Sequence, residues 1–192
     1  MSEAAATVAE IIAACESMQG LPYDGEPVDQ LQHALQCAWL ARQAGDGDDF
    51  VIACLLHDIA RSPAVAEIAF DDECEHHGEA ASRWLTPRVG EGVAWLAEQH
   101  VPAKRYLVAT DPDYRAQLSE VSKRTLQAQG GAMSAAEIEA FRANPDWERA
   151  VSLRRIDDRG KVMGLEVPGL EAYRDKLLSV VEANSAAQAP GP

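Results

Sequence analysis

The 192-residue sequence predicts an all-α protein, a bundle of about eight or nine helices. Apolar residues recur at spacings of three and four along nearly the whole chain, which is the period of an amphipathic helix. Glycine and proline interrupt this pattern, and no segment shows convincing strand alternation. Because 47% of the residues are hydrophobic, the chain can bury the core of one domain. We predict that domain over residues 1–184, followed by a flexible tail over 185–192 with the sequence AAQAPGP at its end.

The first three helices are predicted from their apolar faces and from the residues that bound them. One face of the N-terminal helix carries Val8, Ile11, Ile12, Cys15 and Met18. Pro27 is expected as the first residue of the second helix, which Gly45 ends. Asp48 or Asp49 can cap the third helix, whose run FVIACLLHDIA is apolar on nearly every side. Such a helix belongs at the centre of a bundle.

The remaining helical segments are shorter and more polar. Ser119 opens a helix that Gly130 and Gly131 end, and Ser134 with Glu137 has the spacing of a capping box. The segments are predicted at about 73–85, 89–100, 103–109, 119–129, 134–143, 145–159 and 169–183.

Charge restricts the partners of the chain. With 17 Lys and Arg against 31 Asp and Glu, the net charge is −14, which repels nucleic acid and anionic lipid. An anionic small molecule would therefore need a local set of cations. No apolar run reaches the ~18–20 residues of a membrane span, and the N-terminus lacks the basic region of a signal peptide. We expect a cytoplasmic protein.

The cysteines agree with a reducing compartment. Cys15, Cys37, Cys54 and Cys74 form no CxxC pair and mostly lie within helical apolar patterns. We expect buried thiols rather than a zinc–thiolate site.

Histidine and aspartate form a candidate metal site. His33 lies within the helix LQHALQCAWLA, His57 and Asp58 end the most hydrophobic helix, and Asp157 ends another. A buried carboxylate must be paired or metal-bound, and imidazole with carboxylate is a ligand set for Fe, Mn or Zn. This H…HD…D pattern resembles the HD-domain superfamily, which implies an HD-domain helical bundle.

Two further histidines indicate a second metal. His100 is one of them, and His77 is preferred over His76 as the other because neighbours on a helix point about 100° apart. The spacing from His77 to the small residues at 80–81 and to RWL is similar to that of dinuclear HD proteins.

Four segments resemble one family, the mixed-valent diiron oxygenases that cleave the carbon–phosphorus bond of hydroxylated organophosphonates. The segments are YDGEPVDQLQHALQ, AKRYL, LSEVSKRTLQAQGGAMS and LRRIDDRGK, which span residues 23–161. The resemblance implies that O2 oxidises 2-amino-1-hydroxyethylphosphonate to glycine and phosphate, or its trimethylammonium analogue to glycine betaine and phosphate. Hydrogen removal from carbon 1 would precede C–P cleavage.

The resemblance also implies the ligands of two iron ions, Fe(II) and Fe(III). His33, His57, Asp58 and Asp157 would hold the iron that binds substrate, whereas Asp58, His77 and His100 would hold the other. Asp58 would bridge the two.

Substrate-handling residues follow from the same resemblance. Tyr23 and Glu26 would form a gate, with Tyr23 on the iron until substrate displaces it and Glu26 near the substrate nitrogen. Lys104 lies four residues after His100 and so returns to the same helical face. The substrate's phosphonate would meet Lys104, Ser122, Thr125 and Gln129.

One position departs from the aminophosphonate enzymes. Arg61 in HDIARS stands where they have a second histidine in HDIGH. An arginine can bind a phosphonate bidentately, so the change leaves open which nitrogen substituent the substrate carries.

Two other functions share the ligand set. A phosphohydrolase would use metal-bound hydroxide to attack phosphorus, and a non-catalytic HD module would only bind a nucleotide or a partner. The Tyr23–Glu26 pair and the QGG segment favour the oxygenase, and the presence of all six ligands argues against a non-catalytic module.

Overall fold

The computed structural model describes residues 2–23, 25–65 and 77–188. These ranges contain eleven α-helices: α1 Glu3–Glu16, α2 Gln30–Ala44, α3 Asp48–Leu56, α4 His77–Val89, α5 Glu91–Glu98, α6 His100–Thr110, α7 Tyr114–Gln117, α8 Glu120–Ala128, α9 Ala135–Arg142, α10 Trp147–Arg159 and α11 Arg174–Gln188. Short 3-10 helices occupy Ile59–Arg61 and Leu170–Tyr173. The described ranges contain no strand, only an isolated bridge between Pro22 and Asp29. The all-α class is confirmed, whereas the predicted count of eight or nine helices was too low.

Two predicted helix starts were wrong. Helix α2 starts at Gln30 rather than at Pro27, and Asp29 caps it: the Asp29 carboxylate accepts from the Gln32 backbone N–H, and the Gln32 side chain accepts from the Asp29 N–H. This capping box satisfies two otherwise unpaired donors, which a proline cannot do. Gly47 precedes α3, so Asp48 and Asp49 lie in its first turn, where carboxylates favour the helix dipole.

Other boundaries agree with the sequence pattern. Gly45 ends α2 in the left-handed region at φ 82°, and Ser119 and Ser134 cap α8 and α9. The helix predicted at 89–100 corresponds to the shorter α5, Glu91–Glu98, because the chain turns at Gln99 and α6 starts at His100. The final helix extends to Gln188, beyond the predicted end near residue 183.

Helix α3 occupies the centre of the bundle, as its all-round apolar sequence predicted. Every residue from 50 to 56 is buried, and α3 packs against α2, α5, α10 and α11. His57 and Asp58 follow directly and are therefore buried as well, at 0% and 4% exposure. Within the described ranges, no helix combines the length and apolar character needed to cross a membrane.

A glycine allows helix α4, which carries the candidate ligand His77, to approach the end of α5 closely. Gly78 is the second residue of α4, and a Cβ there would lie 2.9 Å from the backbone oxygen of Glu98 at the end of α5. A backbone atom cannot rotate away, so any side chain at position 78 would separate the two helices. His77 and His100 flank this contact in sequence.

We expect Gly78→Ala to lower the free energy of unfolding by about 1–3 kcal/mol, the usual cost of overpacking. Gly92→Ala is the matched control, because a Cβ at Gly92 in α5 meets nothing within 4 Å. That change should stabilise the protein by about 0.5–1 kcal/mol through helix propensity. Urea unfolding measures both, and equal effects of the two changes would contradict the close-packing account.

Candidate metal centre and active-site cavity

Four buried imidazoles form two facing pairs. His33 of α2 and His57 after α3 place their Nε2 atoms 3.1 Å apart. His77 and His100, the first residues of α4 and α6, place theirs 2.7 Å apart. Each of the four side chains is at most about 5% exposed.

Backbone carbonyls fix which nitrogen of three rings carries the proton. The Nδ1 atoms of His33, His57 and His100 lie 2.9, 2.9 and 2.7 Å from the carbonyl oxygens of Gly160, Cys54 and Ala97. A carbonyl only accepts, so Nδ1 donates and the neutral ring presents a bare Nε2. The facing Nε2 lone pairs of His33 and His57, 3.1 Å apart, repel unless a cation lies between them.

Burial disfavours the protonated form of one ring in each pair. Burial lowers the pKa of His57 below its ordinary value, which outweighs the opposite effect of Asp58. Burial, partly offset by Asp58, lowers the pKa of His100 to about 3. Both rings are therefore neutral at physiological pH, as metal-binding imidazoles are.

The Asp58 carboxylate faces both pairs. Its Oδ2 lies 3.4 Å from His57 Nε2 and 3.9 Å from His33 Nε2, and its Oδ1 lies 3.4 and 3.5 Å from the Nε2 atoms of His77 and His100. Burial would raise the pKa of Asp58, but the histidines, His57 foremost, hold it well below its usual range. An ionised carboxylate between two pairs of imidazole nitrogens fits two cations with a shared ligand.

Asp157 completes the first pair. Its Oδ1 lies 3.4 Å from His33 Nε2, and its Oδ2 accepts from Arg154 Nη1 at 2.7 Å. Burial would raise the pKa of Asp157, yet Arg154 and the contact with His33 hold it well below its usual range. All six predicted ligands therefore converge in one buried cluster.

Tyr23 covers the His33 side of this cluster. Its ring stacks on His33 with centroids 4.2 Å apart and planes 17° from parallel. Its hydroxyl donates to Asp157 Oδ1 at 3.4 Å. Burial and the nearby Asp157 and Asp58 carboxylates raise the pKa of Tyr23 well above its usual range, so the phenol keeps its proton.

Cys37 is a further candidate metal ligand among the described residues, because its sulfur groups with His33 and His57. Its sulfur lies 3.8 and 3.7 Å from His33 Nδ1 and Nε2, beside the ring rather than in line with one lone pair. Burial raises the pKa of Cys37 well above its usual range, so it packs as a thiol. Cys15 and Cys54 are also buried and free, as predicted. His76 and Cys74 lie outside the described residues.

The cluster opens into a cavity of about 430 Å³, a volume that includes its mouth. The lining contains every residue predicted to handle substrate: Tyr23, Glu26, Arg61, Lys104, Ser122, Thr125 and Gln129. Helix α8 contributes Ser122 and Thr125, Gln129 is the residue that caps its C-terminus, and the 3-10 helix after Asp58 contributes Arg61. Asp58, His77, His100 and Asp157 also line this space, so the cavity reaches the cluster.

Lys104 is the most buried cation of the cavity lining. It is 2% exposed, and its Nζ donates to Thr125 Oγ1 at 3.0 Å. Burial, reinforced by Arg154, lowers the pKa of Lys104 to about 7. A bound anion would restore the charge of this lysine, because a nearby negative charge favours the ammonium form.

Sequence reasoning missed two cations of the lining, Arg154 and Lys161. Arg154 donates to Asp157 and Asp158 and, through Nε, to the Tyr114 hydroxyl at 3.0 Å. Burial would lower the pKa of Arg154, but both aspartates hold it well above its usual range. The available signal was helical spacing, since Arg154 precedes Asp157 by three residues and Asp158 by four.

Lys161 follows α10 and lies beside the Tyr23–Glu26 pair. Its Nζ is 3.6 Å from Glu26 Oε1 and 5.3 Å from the centroid of the Tyr23 ring. Glu26 was expected to face a substrate nitrogen. Its carboxylate already lies beside a cationic side chain of the protein, that of Lys161.

The lowered pKa of Lys104 predicts how the free energy of unfolding changes with pH. Between pH 7 and about 10.5 the unfolded chain binds a proton at Lys104 that the folded chain does not, so this residue makes stability rise with pH. We expect the free energy of unfolding of wild type, minus that of Lys104→Met, to rise between pH 7 and 9 by up to ~1.4 kcal/mol per pH unit. Urea unfolding with a chelator present measures it; a constant difference would contradict the shifted pKa.

The sequence is similar to curated proteins with named activities. It is 39% identical over 172 residues to hydroxymethylphosphonate dioxygenase from Gimesia maris, an alignment that covers 85% of this chain and 83% of the relative. It is 37% identical over 148 residues to the glycine-betaine-forming [1-hydroxy-2-(trimethylamino)ethyl]phosphonate dioxygenase from Leisingera caerulea, covering 76% of each chain.

A third relative is an uncharacterized protein of Acanthamoeba polyphaga mimivirus, 31% identical over 192 residues, with 96% of this chain and 86% of that protein covered. No protein-family model matches the chain. Identity of this level over most of both chains agrees with the family that the sequence motifs indicated. The chain belongs to the family of hydroxyphosphonate dioxygenases.

Proposed function

We propose that this protein is a non-heme diiron oxygenase that cleaves the C–P bond of a 1-hydroxyphosphonate carrying a 2-amino or 2-trimethylammonio group. The main supporting observation is a buried cluster of histidine and aspartate side chains that could hold metal ions and that opens into a cation-lined cavity. In the overall reaction R–CH(OH)–PO3H2 and O2 give R–COOH and H3PO4. One oxygen atom is added to carbon and one to phosphorus, so glycine or glycine betaine is released with phosphate.

The donor set supports two metal ions held by the residues predicted from the sequence. His33, His57 and Asp157 would hold one ion, His77 and His100 the other, and Asp58 both. Imidazole and carboxylate are typical ligands of redox-active non-heme iron. This donor set differs from that of a thiolate-rich structural zinc site. Bound iron would supply the activation of O2 and the Lewis acidity that holds the substrate hydroxyl.

Cations of the chain would orient the phosphonate. Lys104, Arg61 and Arg154 line the cavity on α6, the 3-10 helix and α10, so they approach a bound anion from three elements. In a chain of net charge −14, this local positive set offsets the long-range repulsion of an anionic substrate. The hydroxyls of Ser122 and Thr125 can donate to phosphonate oxygens between the cations.

Gln129 offers a further adjustable contact. Its side-chain oxygen is buried and accepts no hydrogen bond from the described residues. Gln129 lines the cavity, so its amide could donate through NH2 to a phosphonate oxygen or accept through its oxygen from a substrate hydroxyl.

Tyr23 and Glu26 would control entry. The Tyr23 hydroxyl reaches Asp157, a ligand of the ion that would bind substrate, so it occupies the space that the substrate hydroxyl must enter. Glu26 lines the same cavity and supplies a carboxylate for a cationic nitrogen.

Oxygen dependence tests the proposed reaction. We expect phosphate release from a 1-hydroxyphosphonate to consume O2, to require the hydroxyl on carbon 1, and to slow when carbon 1 carries deuterium and hydrogen removal limits the rate. Parallel assays of phosphate and O2 in air and under strict anaerobiosis measure this. Full activity without O2 would falsify the oxygenase and favour a phosphohydrolase.

The shared carboxylate gives a prediction on metal content. Asp58→Ala should lose both metals, because two nearby cations then repel each other without the anion between them, whereas His77→Ala should mainly empty one site. Elemental analysis measures the loss, with Asp58→Asn as a variant of matched size and circular dichroism as a check of folding. Two irons retained in folded Asp58→Ala would contradict the bridging role.

A further inference from the structure

Glu26 shares its place in the cavity with a lysine of the chain. Both side chains are 12% exposed and their charged atoms lie 3.6 Å apart, which is an ion pair longer than a hydrogen bond. Glu26 Oε1 is buried and accepts no hydrogen bond from the described residues. The charge of the carboxylate is thus offset, but its Oε1 still lacks a hydrogen-bond donor among the described residues.

The backbone holds Lys161 in this position from both sides. The preceding carbonyl, of Gly160, accepts from His33 Nδ1 at 2.9 Å. The following residue, Val162, exchanges two hydrogen bonds of 2.9 Å with the side chain of Gln36 in α2. Lys161 therefore lies on a segment that is hydrogen-bonded to α2, the helix that carries His33. Its ammonium lies 5.3 Å from the centroid of the Tyr23 ring.

We propose that Lys161 is a specificity-determining residue that competes with a substrate's cationic nitrogen for Glu26. An incoming ammonium must share Glu26 with Lys161 and is repelled by it, whereas a phosphonate with an uncharged substituent leaves the ion pair intact. Lys161 therefore sets the ratio of affinities for cationic and uncharged substituents. This inference rests on the proposed function, since it concerns the substituent of the same phosphonate.

Lys161 affects the binding of a phosphonate in two separate ways, through the anionic phosphonate group and through the substituent. Lys161 attracts the anionic end of every phosphonate, so its removal weakens both classes through that end. Only the cationic class gains from the release of Glu26 and from the loss of a like charge. The ratio of two dissociation constants isolates the second effect.

Calorimetry on the metal-loaded enzyme under anaerobic conditions tests this with 2-aminoethylphosphonate and ethylphosphonate. Both lack the hydroxyl on carbon 1, so binding is measured without turnover. We expect Lys161→Met to shift the affinity ratio toward 2-aminoethylphosphonate by about fivefold or more relative to wild type, the size expected for a partly buried charge pair. Lys161→Arg keeps the charge and should keep the wild-type ratio.

Two controls separate this effect from a general change of charge. Lys123→Met removes a lysine that pairs with Glu120 on α8 and should leave the ratio unchanged. Adding Glu26→Gln to Lys161→Met should abolish the gain. A ratio that changes less than twofold in Lys161→Met, or moves toward ethylphosphonate, overturns the proposal. Failure of the oxygenase would appear separately, as no O2-dependent phosphate release from any hydroxyphosphonate.

Discussion

Backbone carbonyls that accept from the outer nitrogens of three buried histidines determine the rest of the site. By holding Nδ1 of His33, His57 and His100, they turn each bare Nε2 toward the Asp58 and Asp157 carboxylates. The result is a buried cluster rich in acceptors, an arrangement that favours bound cations. The elements that supply these carbonyls are the turn after α10, the last turn of α3 and the end of α5.

The bundle maintains this arrangement through its central helix and through close packing at its edge. Because α3 is apolar on all sides, its burial carries His57 and Asp58 into the interior. Gly78 lets α4 pass against the end of α5 and so brings His77 to His100. The same interior then opens toward a cavity whose cations contrast with the acidic surface, which gives an anion a local reason to enter.

The sequence predicted most of the candidate site because buried histidine and aspartate side chains need a chemical role that core packing does not give them. A histidine–aspartate pair after an all-apolar helix indicates a buried polar site, and the resemblance extended it to six ligands and seven cavity residues. Helix positions were less predictable: α7 has only four residues, too few for a periodic pattern, and the Asp29 capping box took the place expected for Pro27. Arg154 and Lys161 look like ordinary helix-end cations in LRRIDDRGK, and only their placement across the cavity gives them a role.

The central claim is that cations lie between the paired imidazoles. Crystals of the iron-loaded protein, measured on both sides of the iron absorption edge, test it most directly. The account predicts two anomalous peaks, one near Nε2 of His33 and His57 and one near Nε2 of His77 and His100, with the Asp58 carboxylate between them. A fully loaded crystal that lacks iron at both pairs, or that holds Asp58 away from the metal, would contradict it.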